Sequence, residues 1–188
     1  MKHKIVIVGG GAGGLELATK LGKRFGKSDK ASITLVDTNL THVWKPLLHE
    51  VAAGALSSAT EELNYHAQAK WNHFSFELGT MEGLDRKAKT LSLAAVMDED
   101  DKPLIAPRTL CYDTLIVAVG SNSNDFGITG AREHAVFLDT RKQADFFHRK
   151  LLNAYLSSTR HQDATGAISI AIVGAGATGV ELAAVVVN

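Results

Sequence analysis

Hydrophobic and polar positions along this chain fall into short blocks of two different periods. Ile5-Val-Ile-Val is a compact β-branched run that stops at a glycine cluster, and an apolar helical pattern follows it. Ser32 to Val36 is a second apolar strand and ends in Asp37. Thr41 to Gly54, THVWKPLLHEVAAG, mixes apolar and polar residues and enters a helix near Pro46, since proline suits a first helical turn. From Phe74 to Asp113 short alternating runs, a turn signal at Glu82-Gly83 and an acidic loop Asp98-Glu-Asp-Asp101 predict a small antiparallel meander. Leu115 to Val119 is expected to be a buried strand ending at Gly120-Ser121, and 122–133 a loop. Thr140 to Ser157 places Phe146, Phe147, Leu151, Leu152 and Tyr155 on one side of a helix expected to cover the sheet.

An internal repeat organises these blocks. Ile5–Ala18, IVIVGGGAGGLELA, and Ile170–Ala183, IAIVGAGATGVELA, share ten of fourteen residues at an offset of 165, too long for a solenoid. Each copy is a strand, a glycine turn and a helix, the opening of a βαβ unit. The fold class expected is therefore α/β: a Rossmann-like dinucleotide-binding domain with an inserted antiparallel β-meander, followed by the start of a second Rossmann-like domain.

In the first copy Gly9, Gly11 and Gly14 satisfy G-x-G-x-x-G, and Gly10 and Gly13 are additional. The pattern needs glycine for a sharp turn off the strand, for close approach of backbone to a pyrophosphate, and for tight packing of helix on strand. Phosphate oxygens then meet unpaired N–H groups at a helix N-terminus. Asp37 follows Gly14 by 23 residues, where a carboxylate meets ribose hydroxyls. An acid there favours a free 2′-hydroxyl, as in NAD or the adenosine half of FAD. The second copy, Gly174, Gly176 and Gly179, is followed by only nine residues, so its own ribose acid and the next strand are absent. Val180, Leu182, Ala184 and Val185 are accordingly expected to be exposed, and the chain to be an N-terminal piece of a longer protein.

Composition narrows the function classes. Twenty Lys and Arg balance twenty Asp and Glu without a basic stripe, which argues against nucleic acid as partner. The single cysteine, Cys111, cannot form an internal disulfide, a CxxC pair or a Cys-rich zinc site, and is expected to be a buried apolar residue. His49-Glu50 begins an H-E-x-x-H pattern, but Ala53 stands where the second histidine belongs, so no metal is expected. No apolar run is long enough for a membrane helix, and the run after Met1 is too short for a signal peptide.

Two dinucleotide folds in one chain, the first interrupted by a β-meander, are the arrangement of two-domain flavoproteins. The sequence resembles the type II NADH dehydrogenases, single-subunit NADH:quinone oxidoreductases, most specifically in KIVIVGGGAGGLELA, ITLVDTN, HVWKPLLHEVAAG, YDTLIVAVGSNSNDFG and IAIVGAGATGVELA. The resemblance implies non-covalent FAD on the first glycine motif and NADH as substrate on the second. It divides the chain into an FAD-binding domain over 1–125 with the meander at about 74–113, a connecting loop and helix over 126–164, and the truncated beginning of an NADH-binding domain over 165–188. Gly9, Gly11, Ala12, Gly13, Gly14 and Asp37 match the FAD pyrophosphate and ribose contacts. Lys45, Pro46 and Leu47 match a segment close to the flavin, and Gly120 and Ser121 a strand end that closes over FAD. Gly174, Gly176, Thr178 and Gly179 match the NADH turn, while Glu181 matches a glutamate near nicotinamide and flavin. Glu181 and Lys45 are the catalytic candidates.

The resemblance further implies a membrane quinone as electron acceptor, and peripheral attachment to the cytoplasmic side of the inner membrane through a C-terminal region absent here. A homodimer is compatible with it. The 188-residue chain is expected to bind FAD weakly if at all, and not to oxidise NADH. Two alternatives stay open: a non-catalytic dinucleotide-binding remnant, and a flavin-dependent ferredoxin or pyridine-nucleotide reductase on the same plan.

Overall fold

Strand, glycine turn and helix follow one another as the apolar pattern predicts, and a computed structural model describes residues 2–42, 44–57, 62–158 and 168–187 of the chain. In chain order the elements are β1 (His3–Val8), α1 (Ala12–Leu21), β2 (Ala31–Asp37), β3 (Thr41–His42), α2 (Leu48–Ala53), β4 (Leu63–Asn64), α3 (Tyr65–Asn72), β5 (Ser75–Leu78), β6 (Met81–Asp85), β7 (Thr90–Leu93), β8 (Val96–Met97), β9 (Pro103–Ile105), β10 (Arg108–Cys111), β11 (Thr114–Val117), α4 (Ala131–His134), α5 (Arg141–Ser158) and α6 (Ala177–Val187). The backbone forms two units, residues 1–42 with 63–120, and residues 43–62 with 121–188.

The first unit is built on a parallel sheet of order β11-β1-β2-β5. Alternation along the strands sends side chains to two cores. Ile7, Ile33 and Leu35 meet Leu15 and Ala18 of α1, Tyr65 and Ala69 of α3, and Phe74 and Phe76. Val6, Val8 and Val36 point the other way, against Leu91, Leu93 and Tyr112. The central strand is covered on both faces, which is why its sequence is a continuous β-branched run. Gly22 and Gly26 lie in a wider helical turn after α1 and back directly onto the Asn72 and His73 carbonyls.

The antiparallel insertion is present, with its boundaries corrected. Ser75–Leu78, expected in the meander, pairs parallel with β2, from Thr34↔Ser75 to Asp37↔Leu78. The antiparallel sheet is β10-β7-β6. Glu82-Gly83 is not its turn: Gly83 sits inside β6 at a register shift. The chain reverses after Asp85, whose Oδ1 accepts from Lys87 N at 2.8 Å and Ala88 N at 2.9 Å. The acidic run 98–101 does form a loop, between β8 and β9, with Asp98 Oδ1 accepting from the Asp100 and Lys102 amides. Arg108 of β10 joins insertion to sheet, donating to Glu77 Oε2 through Nε at 3.0 Å and Nη2 at 2.8 Å, and to Leu78 O at 2.6 Å.

Two expected burials do not occur in this unit. The strand at 115–119 is the sheet edge, running over Thr114–Val117, and Val117 and Val119 are exposed, with no strand pairing beyond it among the described residues. Cys111 is exposed as well, since the period of two on β10 puts it on the same outer face as Thr109.

In the second unit, a 3-10 turn over Lys45–Leu47, with Pro46 in its first positions, leads into α2, as the proline predicts. Leu48, Val51 and Ala52 of α2 pack against Ala144 and Phe147 of α5 and Leu182 and Val186 of α6. Within this unit α5 therefore covers α2. Leu182, expected to be exposed, is 6% exposed because α2 supplies the apolar partner. Val180 is exposed as expected. The strand expected at the start of the second copy is not formed: residues 168–173 have no strand partner among the described residues, and Val173 is 94% exposed. The boundary expected at 164/165 lies outside the described residues. Among them, no helix is long and apolar enough to cross a membrane.

Candidate functional site

The first glycine turn separates into positions required by packing and positions left open. Gly9 has φ +103° and donates to Val36 O at 2.8 Å, and a Cβ there would strike the Ala118 carbonyl. A Cβ on Gly14 would strike the Gly9 carbonyl, so α1 approaches the end of β1 this closely only because position 14 has no side chain. Gly11 and Gly13 face open space. Gly11 begins α1, accepting from Leu15 N at 2.9 Å, and no side chain caps the helix. Its first-turn N–H groups are thus available to an anion, with the positive end of the helix dipole behind them.

Asp37 ends β2 beside this turn. Its Oδ2 accepts from Gly10 N at 2.7 Å, and its Oδ1 from Asn39 N at 2.8 Å and Asn39 Nδ2 at 3.1 Å. A carboxylate offers about four acceptor positions, so one remains for a hydroxyl while the others fix its orientation.

Sequence reasoning missed two residues that contact this loop. The Gly10 carbonyl accepts from Tyr65 OH at 2.7 Å and lies 2.8 Å from His42 Nδ1. A Cβ on Gly10 would strike the Tyr65 ring. Burial first, and then the charge of Asp37, push the Tyr65 phenol well above the ordinary tyrosine range. The surplus glycine at position 10 was the available signal; its partner stands 55 residues away.

The candidates of the second unit fall into two groups. Lys45 Nζ donates to Ser121 O at 2.9 Å, which brings together two residues that resemblance had marked separately. Pro46 is exposed and Leu47 half-buried. The neighbouring Gly120 closes the first unit with φ +73° and open space around it.

The second glycine turn reproduces the first. Gly174 has φ +108°, a Cβ on Gly179 would strike the Gly174 carbonyl, Gly176 is open, and Val180 N donates to Gly176 O at 3.1 Å. Thr178 is exposed at the head of α6. Glu181, half-exposed one turn on, places Oε2 3.3 Å from Nδ1 of the buried His49, in ion-pair reach but without hydrogen-bond alignment. Among the described residues no cluster of three His, Cys, Asp or Glu side chains is arranged to hold a metal.

The profile of the pyridine nucleotide-disulphide oxidoreductase family matches residues 3–188. A Haemophilus influenzae protein named type II NADH:quinone oxidoreductase is 45% identical over 96% of this chain, which spans 44% of that protein. A Mycobacterium tuberculosis protein of the same name is 32% identical over the whole chain, which spans 38% of it. Among solved structures, NDH2 from Plasmodium falciparum in complex with NADH aligns with a TM-score of 0.68 at 25% identity, covering 85% of this chain and 30% of that one. The chain thus spans less than half the length of the relatives it matches. With its repeated glycine turns and an acid closing the second strand, it belongs to the pyridine nucleotide-disulphide oxidoreductase family.

Proposed function

We propose that this chain carries the FAD-binding part, and the first turn of the NADH-binding part, of an NADH:quinone oxidoreductase of the type II class. The observation that carries this is the same turn built twice: Gly9, Gly11 and Gly14 with Asp37, and Gly174, Gly176 and Gly179. When bound, FAD supplies the redox chemistry, taking a hydride from NADH and passing two electrons to a membrane quinone.

The chain's own residues bind and orient. The N–H groups from Gly11 to Gly14 hold the FAD pyrophosphate, with Ala12 in the first turn of α1. The open acceptor position of Asp37 takes a ribose hydroxyl. Lys45 Nζ holds the Ser121 carbonyl, and Lys45, Pro46 and Leu47 are assigned to the flavin on resemblance. The turn from Gly174 to Gly179, with Thr178, holds the NADH pyrophosphate, and Glu181 faces the nicotinamide. The single cysteine provides no dithiol pair, which disfavours a disulphide-reducing reaction for these residues. The quinone, the membrane surface and any dimer contact are assigned to the whole protein on resemblance, since this chain spans less than half of its relatives.

The test is visible absorbance of the purified chain after addition of FAD and desalting, followed by NADH without oxygen. Weak flavin retention and no bleaching are expected of the 188 residues, and a flavin band bleached by NADH of the complete protein. A complete protein that carries no flavin would overturn the proposal.

A further inference from the structure

Two buried side chains from outside the glycine loop converge on one of its carbonyls. Tyr65 OH donates to Gly10 O at 2.7 Å, and His42 Nδ1 lies 2.8 Å from the same oxygen. On the other side of the residue, Gly10 N donates to Asp37 Oδ2 at 2.7 Å. His42 belongs to β3, Tyr65 opens α3 and Asp37 ends β2, so three elements hold one residue. Because a carbonyl only accepts, His42 carries a proton on Nδ1. The Tyr65 ring is itself held, stacked on Phe76 at 5.0 Å between centroids with the His42 ring edge-on at 6.3 Å.

The consequence follows from peptide geometry. The Gly10–Gly11 bond is trans, so the Gly10 oxygen and the Gly11 N–H point in opposite directions. An oxygen drawn toward buried Tyr65 and His42 sends that N–H away from them, at the residue that caps α1 and has open space where its Cβ would stand. A run of glycines has many other conformations of similar energy, and hydrogen bonds to its carbonyl remove them. We propose that Tyr65 and His42 are positioning residues of the dinucleotide site, holding the Gly10–Gly11 peptide with its N–H aimed at the pyrophosphate before the ligand arrives. This deepens the function proposed above and rests on that reading. It also accounts for Gly10, a glycine that the G-x-G-x-x-G pattern leaves unexplained.

The test titrates FAD into the ¹⁵N-labelled 188-residue chain and its Tyr65→Phe, His42→Asn and His42→Ala variants. Three quantities are read: affinity from the Gly11 to Gly14 amide shifts, the melting temperature, and the His42 tautomer from ring nitrogen shifts. Tyr65→Phe keeps the stacked ring, so its melting point is expected to stay within a few degrees of the parent. Its affinity for FAD is expected to fall on the order of tenfold. The Gly11 amide is expected to shift already in the ligand-free variant. His42→Asn, which can still donate, is expected to retain more affinity than His42→Ala. Parent-like affinity with an unmoved Gly11 amide in Tyr65→Phe, or a neutral His42 protonated on Nε2 alone, would overturn the proposal. If the 188-residue chain takes up no FAD, the affinities are read on the complete protein, and the functional reading fails only if that protein carries no flavin. The ligand-free Gly11 amide and the His42 tautomer then decide the positioning role by themselves.

Discussion

His49 Nδ1 stands 3.3 Å from Glu181 Oε2, and this pairing links the helix after Pro46 to the helix of the second glycine turn. His49 is buried while the Glu181 side chain is half-exposed. A double-mutant cycle with His49→Gln and Glu181→Gln is expected to give a coupling of about 0.5 kcal/mol or more, as for two side chains in contact. Urea unfolding followed by Trp44 fluorescence in a Trp71→Phe background measures it, because Trp44 lies in the same unit. Strict additivity would show that the two residues are merely neighbours.

The glycines should separate by role. Gly14→Ala and Gly9→Ala force a Cβ onto backbone carbonyls, and are expected to destabilise the first unit by about 2 kcal/mol or more. Gly13→Ala has open space inside a helix and is expected to be neutral or to stabilise by about 0.5–1 kcal/mol while weakening FAD binding. Thermal melts alongside FAD titrations distinguish the two classes. Equal destabilisation by all three would contradict the geometry.

Leu182→Ala removes the residue by which α6 reaches the α2 core, where Leu48, Val51 and Ala52 are buried. A loss of about 2–5 kcal/mol is expected for the second unit. Hydrogen exchange should show faster exchange over 48–53 and unchanged protection in β1 and β2. Unaltered exchange over 48–53 would mean that α6 does not pack there.

Arg108 and Glu77 tie the antiparallel insertion to the edge of the parallel sheet, with the Arg108 guanidinium also donating to Leu78 O. Glu77→Gln weakens a charge-assisted pair, and Arg108→Met leaves the Leu78 carbonyl without that donor. Expected losses in denaturant unfolding are about 1 kcal/mol for the first and about 2–3 kcal/mol for the second.

Tyr65 sets an alkaline limit. Burial and the charge of Asp37 raise its folded-state pKa above the unfolded value of about 10. A raised pKa contributes stability that is fully present below pH 10 and is lost as pH rises from there toward the folded value. Subtracting the 295 nm titration of Tyr65→Phe from that of the parent isolates the group. A difference curve centred at pH 10 would contradict its burial.

Much of the first unit was legible because its signals are local. Ile5–Val8, the glycine spacing and Asp37 act through strand period, turn sterics and chain reach, all properties of neighbouring residues. The helix over 141–158 and the helical entry at Pro46 were legible for the same reason. Errors arose where a partner decides. Ser75–Leu78 alternates like a meander strand but pairs with β2, and Cys111 takes the outer face through the register of β10. Leu182 is buried by a helix more than a hundred residues earlier in the chain.

The amino-acid order therefore settles the fold class, the two glycine turns and the acid that follows the first, because steric freedom and periodicity reside in the local chain. Only tertiary contact decides what holds those turns in place. Tyr65 and His42 meet Gly10, Lys45 meets Ser121, and His49 meets Glu181 across separations of 32 to 132 residues. Side-chain type alone carries no record of such distances, and each contact exists only once sheet order and helix packing have brought its two ends together.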